Sequence, residues 1–497
     1  MMQFITQQAN QFKGRIAIRE GDKAYSYEEL KQAAGNASAF LMVEKDDLKG
    51  ARIAFMVNPG LDYVAVQWGI WQAGGVAVPI CLSYPEEAIR YYLEDSGAEM
   101  VICSPVYVEL LQPLADQMQI QIADTGQVLK DQGSNPAFPK LDGPREAMIL
   151  YTSGTTNKPK GVVSTHSNIT SQIKTLIEAW EWSREDQIIS FLPLHHVHGI
   201  INVVSCAMWS GACVHFIPEF ETARVFRLIM EEELTVFMAV PTVYFKLIQY
   251  YHTLDAGMNQ KLRERFGHFR LMVSGSAALP VSVLDQWKTI TGHTLLERYG
   301  MTEIGMAISN PLHGTRKPGY VGLPLPGVGV RLVDDEGKPV SEDEPGEIQV
   351  TGTNVFKEYW NKPAATREAF TDDGWFRTGD IAVVESGYYR ILGRNSVDII
   401  KSGGYKISAL EIEEVLRTNE NVKDAAVVGL PDEEWGEIVG AAIQSPNLGI
   451  KDIPDLKAWL LKKLPAYKTP RVYRFVSELP RNAMGKVVKQ EVKSIFT

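Results

Sequence analysis

Tyr151-Thr-Ser-Gly-Thr-Thr-Asn-Lys-Pro-Lys-Gly161 is the stretch from which the rest of the chain can be ordered. It follows the apolar run Ala147 to Leu150 and leads into a polar segment rich in Ser and Thr. A strand that delivers the chain into a loop of small and hydroxylated residues can surround a polyphosphate with backbone N–H groups and hydroxyls. The loop is not a Walker P-loop, because the Gly-x4-Gly-Lys-Ser/Thr spacing is absent. Taken alone it also reads as a flexible linker, so the decision passes to the segments that follow.

Those segments are Glu297-Arg-Tyr-Gly-Met-Thr-Glu303, Gly374-Trp-Phe-Arg-Thr-Gly-Asp380, Gly393-Arg394 running into Lys401-Ser-Gly-Gly-Tyr-Lys406, and Pro480-Arg-Asn-Ala-Met-Gly-Lys486. In this order, over nearly the whole chain, the set resembles the acyl-adenylate-forming superfamily of acyl-CoA synthetases, peptide-synthetase adenylation domains and luciferases. The resemblance implies ATP and coenzyme A as substrates and Mg2+ as the accompanying ion. It also implies that a large N-terminal domain (1–394) holds the ATP and acyl pockets. A small mobile C-terminal domain (395–497) would bring the catalytic lysine and a CoA-side loop, swivelling about Ser396.

Bulk properties agree with that class. A chain of 497 residues exceeds what one hydrophobic core organises, so more than one domain is expected. The formal charge of −10 argues against nucleic acid as a main partner and requires anionic substrates to be attracted by local positive charge. Cys81, Cys103, Cys206 and Cys213 are scattered in apolar segments with no C-x-x-C pair, as expected for buried thiols. No apolar run approaches the about 20 residues of a membrane span, and stable membrane association is not expected. The opening Met-Met-Gln-Phe-Ile-Thr-Gln-Gln has neither a basic n-region nor an Arg-rich pattern, so the expected compartment is the cytoplasm. Oligomeric state is not legible.

The patterning gives an α/β fold. Buried strands are expected at Ala51–Val57, Val76–Ile80, Met100–Cys103, Thr235–Val240 and Arg270–Val273, with room for crossover helices between them. Such alternation argues for parallel-rich sheets flanked by helices. A β-rich antiparallel subdomain is expected after about Val321. Past Arg394 a small α+β unit follows. There Ser408-Ala-Leu-Glu411 reads as a capping box opening a helix with Leu410, Val415 and Leu416 inward. A strand at Ala425–Val428 and a helix at Lys457–Leu464 complete it.

Forming an acyl adenylate makes a carboxylate attack the α-phosphorus of ATP. Two anions must therefore be neutralised and held in line. Thr152, Ser153, Gly154, Thr155 and Thr156 supply hydroxyls and amides for the phosphates. Lys160, by resemblance, steadies the loop. Asn157 stands where the family usually has Gly, and Asn tolerates the left-handed conformation better than most residues. By resemblance Glu297, Tyr299, Gly300 and Met301 border the adenine, as do Ser276 and Ala277. Thr302 and Glu303 are oxygen donors suited to a hard cation, with Glu303 and Thr156 expected near the metal. The resemblance assigns Asp380 and Arg394 to the ribose, and Ser402, Gly403 and Gly404 to the pantetheine arm of CoA. Gly403 and Gly404 let that arm pass close to the backbone. Lys486 would bridge the attacking carboxylate and the α-phosphate.

Arg298 stands where members that take monocarboxylic or aromatic acids usually have Gly. A guanidinium beside the acyl pocket is unfavourable against a hydrocarbon chain and suits a second carboxylate, which it can hold bidentately. It could also turn outward into a surface ion pair. In Leu192-Pro-Leu-His-His-Val-His-Gly199 the histidines lack accompanying ligands for a metal, and His196 and His198 read as hydrogen-bonding wall residues. With Ser274, these features resemble the malonyl-CoA synthetases within the superfamily, implying malonate as the acid and methylmalonate as a second substrate. The alternatives are a short- or medium-chain monocarboxylate–CoA ligase, a stand-alone adenylation enzyme loading a carrier protein, and a luciferase-like oxygenase or catalytically silent adenylate-binding sensor.

Overall fold

The structure, a computed structural model, describes residues 5–133, 138–152, 158–403, 405–481 and 487–496. Among these the strands form four sheets of nine, seven, four and five strands. The seven-stranded sheet runs Glu358–Tyr359, Lys160–Thr165, Glu146–Thr152, Val76–Pro79, Arg52–Met56, Met100–Cys103, Gln121–Asp124. From Glu146–Thr152 to Gln121–Asp124 the neighbours are parallel. Arg52–Met56 and Val76–Pro79 are buried in continuous rather than alternating runs, as a sheet covered on both faces requires. Helix Leu61–Gln72 makes the crossover between them.

The nine-stranded sheet runs Leu323–Pro324, Gly305–Ser309, Leu296–Met301, Leu271–Ser274, Val236–Ala239, Gln187–Ser190, Cys213–Phe216, Ile16–Glu20, Lys23–Ser26. Its middle is parallel and its outer strands are antiparallel. The strands expected from the sequence lie within a residue or so of these bounds. Ser190, Ala239 and Ser274 end neighbouring parallel strands, the edge at which open α/β sheets present ligand-binding loops. Helix His166–Trp180 begins at a closed capping box between Thr165 and Asn168. The β-rich subdomain is the antiparallel sheet Gly329–Val333, Gly346–Thr351, Phe376–Glu385, Tyr388–Arg394.

After the turn at 395–398 the chain enters the five-stranded sheet, whose apolar cluster includes Ile400, Ile407, Ile412, Leu416, Val427 and Leu460. Three expectations need correction here. Ser408 accepts from the Glu411 N–H at 3.2 Å, but the Glu411 carboxylate turns to Lys468 at 2.7 Å, so only half of the capping box forms. The inward face of helix Ala409–Arg417 is Ala409, Ile412, Glu413 and Leu416, with Leu410 half-buried. A charged residue takes an inner position because it is satisfied there. Glu413 accepts from the Val427 N–H at 2.8 Å and pairs with Arg417 and Lys489. The next helix is Ile453–Leu461, starting earlier than expected because Pro454 suits a first turn.

Candidate active site

Strand Glu146–Thr152 ends at Thr152, which pairs across with Lys160 as the chain returns. Ser153, Gly154, Thr155, Thr156, Gly404 and Lys486 lie outside the described residues. The Lys160 ammonium sits 5.0 Å from the Tyr359 ring centroid. It borders an open cavity of about 470 Å3 together with Tyr359, Thr378, Arg394, Ser396 and Lys401. Arg377 on the same wall brings the cations to four (Lys160, Arg377, Arg394, Lys401) against two carboxylates, Glu347 and Glu368. An acidic chain thus concentrates positive charge at one place, the local attraction that anionic substrates need.

One side of the site is held together by charged groups already paired with each other. Asp380 and Arg394 face one another across antiparallel strands. The Arg394 Nε donates to Asp380 Oδ1 at 2.9 Å, and the Tyr299 hydroxyl donates to Oδ2 at 2.6 Å. The expected adenine neighbour Tyr299 and the expected ribose pair therefore meet in one cluster. Glu303 is buried and accepts from the Tyr359 hydroxyl at 3.0 Å, and burial raises its carboxyl above the usual range. Thr302 lies beside it in the turn between strands Leu296–Met301 and Gly305–Ser309. Among the described residues no group of three or more His, Cys, Asp and Glu could hold a metal ion. Glu303 nevertheless fits a hard cation: a buried carboxylate gains from a positive neighbour what it loses by leaving water.

Glu297 faces another way. Its carboxylate accepts from the Gly319 N–H at 3.0 Å, and burial pushes it up to about 8. Its backbone carbonyl accepts from Asn310, so this residue anchors the loop that follows strand Gly305–Ser309. Gly300 and Met301 belong to strand Leu296–Met301, and the exposed Ser276 and Ala277 follow strand Leu271–Ser274. Ser276 adopts a left-handed φ of 69°.

The other side is built around Arg298. It does not point out to a surface ion pair: it is 4% exposed, and its one hydrogen bond among the described residues goes to Ser276 Oγ at 3.4 Å. Its Nε has no partner, and burial lowers the guanidinium to about 10. The charge lies over Gly275, where an added Cβ would come within 2.4 Å of its Cζ, so the glycine makes the space. Ser276 Oγ also meets His198 Nδ1 at 3.2 Å. His198 is buried and held neutral, its pKa driven well down by burial and then by Arg298 and His196. The His195 and His196 rings lie 4.1 Å apart, tilted by 49° to one another. Ser274 Oγ is buried without a partner among the described residues.

Ser402 is buried and Ser396 lies exposed in the turn at 395–398. Gly403 has a φ of 54°, and a Cβ there would strike the Trp435 ring at 2.7 Å. Its lack of a side chain is thus already required by packing. The sequence reading missed Tyr359, Arg377 and Asn202. Arg377 stands inside the Gly374–Asp380 motif, and Asn202 is the one polar residue within the apolar run Ile200–Val204.

Known proteins share this fold. The chain matches the family described as AMP-binding enzyme over residues 5–360 and the AMP-binding enzyme C-terminal domain over 411–486. It is 45% identical over 480 residues to the mitochondrial malonate–CoA ligase of Xenopus laevis, covering 89% of this chain and 82% of that protein. The ATP-bound crystal structure of MatB from Rhodopseudomonas palustris overlays with a TM-score of 0.90 at 31% identity, each chain covered in full, 100% and 100%. A malonyl-CoA ligase ternary product complex with methylmalonyl-CoA and AMP overlays at 0.69 with 35% identity, covering 94% and 97% of the chains. The chain belongs to the AMP-binding enzyme family.

Proposed function

We propose that the chain is a malonate–CoA ligase, converting malonate, ATP and CoA into malonyl-CoA, AMP and pyrophosphate through malonyl-AMP. The observation that carries this reading is Arg298, a guanidinium that is 4% exposed and has no carboxylate partner among the described residues. A buried charge is strongly unfavourable until a counter-ion arrives. A dicarboxylic acid supplies one with the carboxylate that does not react, and a monocarboxylic acid leaves Arg298 unpaired. Methylmalonate is the natural second substrate, since one methyl group is worth only about 1–3 kcal/mol of discrimination.

In this reading Arg298, beside neutral His198, orients malonate so that its free carboxylate faces the α-phosphate. Asp380 accepts from the ribose hydroxyls and is itself held by Arg394 and Tyr299. Glu303, with Thr156, would hold Mg2+, which supplies charge neutralisation to the phosphates. Lys486 bridges nucleophile and phosphate in the first half-reaction. The small domain (395–497) then turns about Ser396, withdrawing Lys486 and bringing Ser402, Gly403 and Gly404 to the thiol. Support for two arrangements comes from the overlays: the product complex is the more similar in sequence yet the less similar in shape. The cytoplasmic compartment stays a proposal beside a mitochondrial relative, to be tested by fractionation of the tagged full chain.

CoA-dependent AMP release with malonate, methylmalonate, acetate, hexanoate and a coumarate-type acid, measured side by side, tests the reading. Malonate far ahead is the expected result, and a monocarboxylate in front would overturn it. Release of AMP without CoA but with a pantetheinylated carrier protein would move the acceptor to that class.

A further inference from the structure

Asn202 lies on the π-helical turn His198–Ser205, whose Cys206 N–H reaches back to the Ile201 carbonyl. It is 0% exposed, yet among the described residues neither its Nδ2 nor its Oδ1 has a hydrogen-bond partner. Its neighbours Ile200, Ile201, Val203 and Val204 are buried and apolar. A buried amide with both ends unpaired is strongly disfavoured unless something fills them, and π-turns inside helices recur at functional sites. Asn202 follows His198 by about one turn on the same face. His198 in turn is tied to Arg298 through the Ser276 hydroxyl.

Among the described residues His198 Nε2, Arg298 Nε and Ser274 Oγ are likewise buried without partners. An apolar acyl group would satisfy none of them, whereas a carboxylate offers several acceptor positions. We infer that Asn202 is a specificity-determining residue: its amide N–H donates to the far carboxylate of the acyl substrate beside Arg298, selecting short dicarboxylic acids. This deepens the malonate reading and rests on it.

The test uses the full-length wild type and the near-isosteric variants Asn202→Leu and Asn202→Asp, with ATP–pyrophosphate exchange on malonate and on propionate. Both variants should lower the malonate-to-propionate ratio of kcat/KM by about tenfold or more, carried by the malonate KM, with the KM for ATP unchanged. Asn202→Asp should lose more malonate activity than Asn202→Leu, because it opposes a carboxylate with a carboxylate. If Asn202→Leu does not fold, Asn202→Asp, which keeps the shape and polarity, decides alone. A ratio within about twofold of wild type in every folded variant would make the amide a structural one and overturn the inference. A wild type without preference for malonate would instead remove the reading beneath it.

Discussion

The nucleotide side and the acyl side of this site differ in how far the protein satisfies itself. Around Asp380 side chains pair with one another: Arg394 at 2.9 Å and Tyr299 at 2.6 Å, with Glu303 on Tyr359 at 3.0 Å. On the acyl side, among the described residues, Arg298 Nε, Ser274 Oγ, His198 Nε2 and both amide atoms of Asn202 are buried without partners. A self-paired cluster is rigid before its ligand arrives and suits ATP, the substrate common to the family's chemistry. An unsatisfied cluster stores its penalty until the correct acid relieves it, which is how discrimination between similar acids arises.

The largest break in this contrast comes from Arg298→Met. Losing the partner of a buried carboxylate costs about 2–5 kcal/mol, so malonate kcat/KM should fall about 30- to 4,000-fold while propionate is spared or improved. Equal loss on both acids, by the same AMP-release measurement, would sink the pocket assignment. Asp380→Asn touches the other side. It should raise the KM for ATP by about 10- to 100-fold and leave the malonate-to-propionate ratio alone. A changed ratio would show that the two sides are not separable.

Ser396→Pro sharpens the contrast in time rather than space. Thioester formation, followed in single turnover from preformed malonyl-AMP, should slow by about tenfold while adenylation changes less, as expected of a hinge residue. Equal slowing of both steps would count against the hinge. The smallest effect concerns stability. Glu297 has its carboxyl raised from 4.5 to about 8, so the folded state binds the extra proton and loses stability as pH climbs through that window. Glu297→Gln keeps the acceptor for Gly319 and should flatten the dependence, raising Tm at pH 8.5 by about 2–4 °C and leaving it unchanged at pH 4. An unaltered pH slope would rule out Glu297 as its source.

Motif order made the family legible, and apolar runs such as Met100–Cys103 read as strands because a doubly covered parallel sheet needs unbroken hydrophobicity. The capping box at Ser408 was only half right, since Glu411 found a stronger, charged partner in Lys468. The inner face of helix Ala409–Arg417 was misread because periodicity has no place for a buried glutamate, and Glu413 is stable there only through distant Val427 and Lys489. Asn202 was overlooked because an isolated Asn in an apolar run carries no message until its partners can be counted.

Motif order and apolar patterning determined the family and the fold class, and the resemblance they carry singles out Asp380, Arg394, Glu303 and Arg298 as candidates. Both are properties of residue order, which a linear sequence displays. Tertiary structure alone decided that Arg298 turns inward over Gly275, that Tyr299 closes on Asp380, and that Asn202 is left unsatisfied. Pairing, burial and the absence of a partner are properties of three-dimensional neighbours brought together from far apart in the chain.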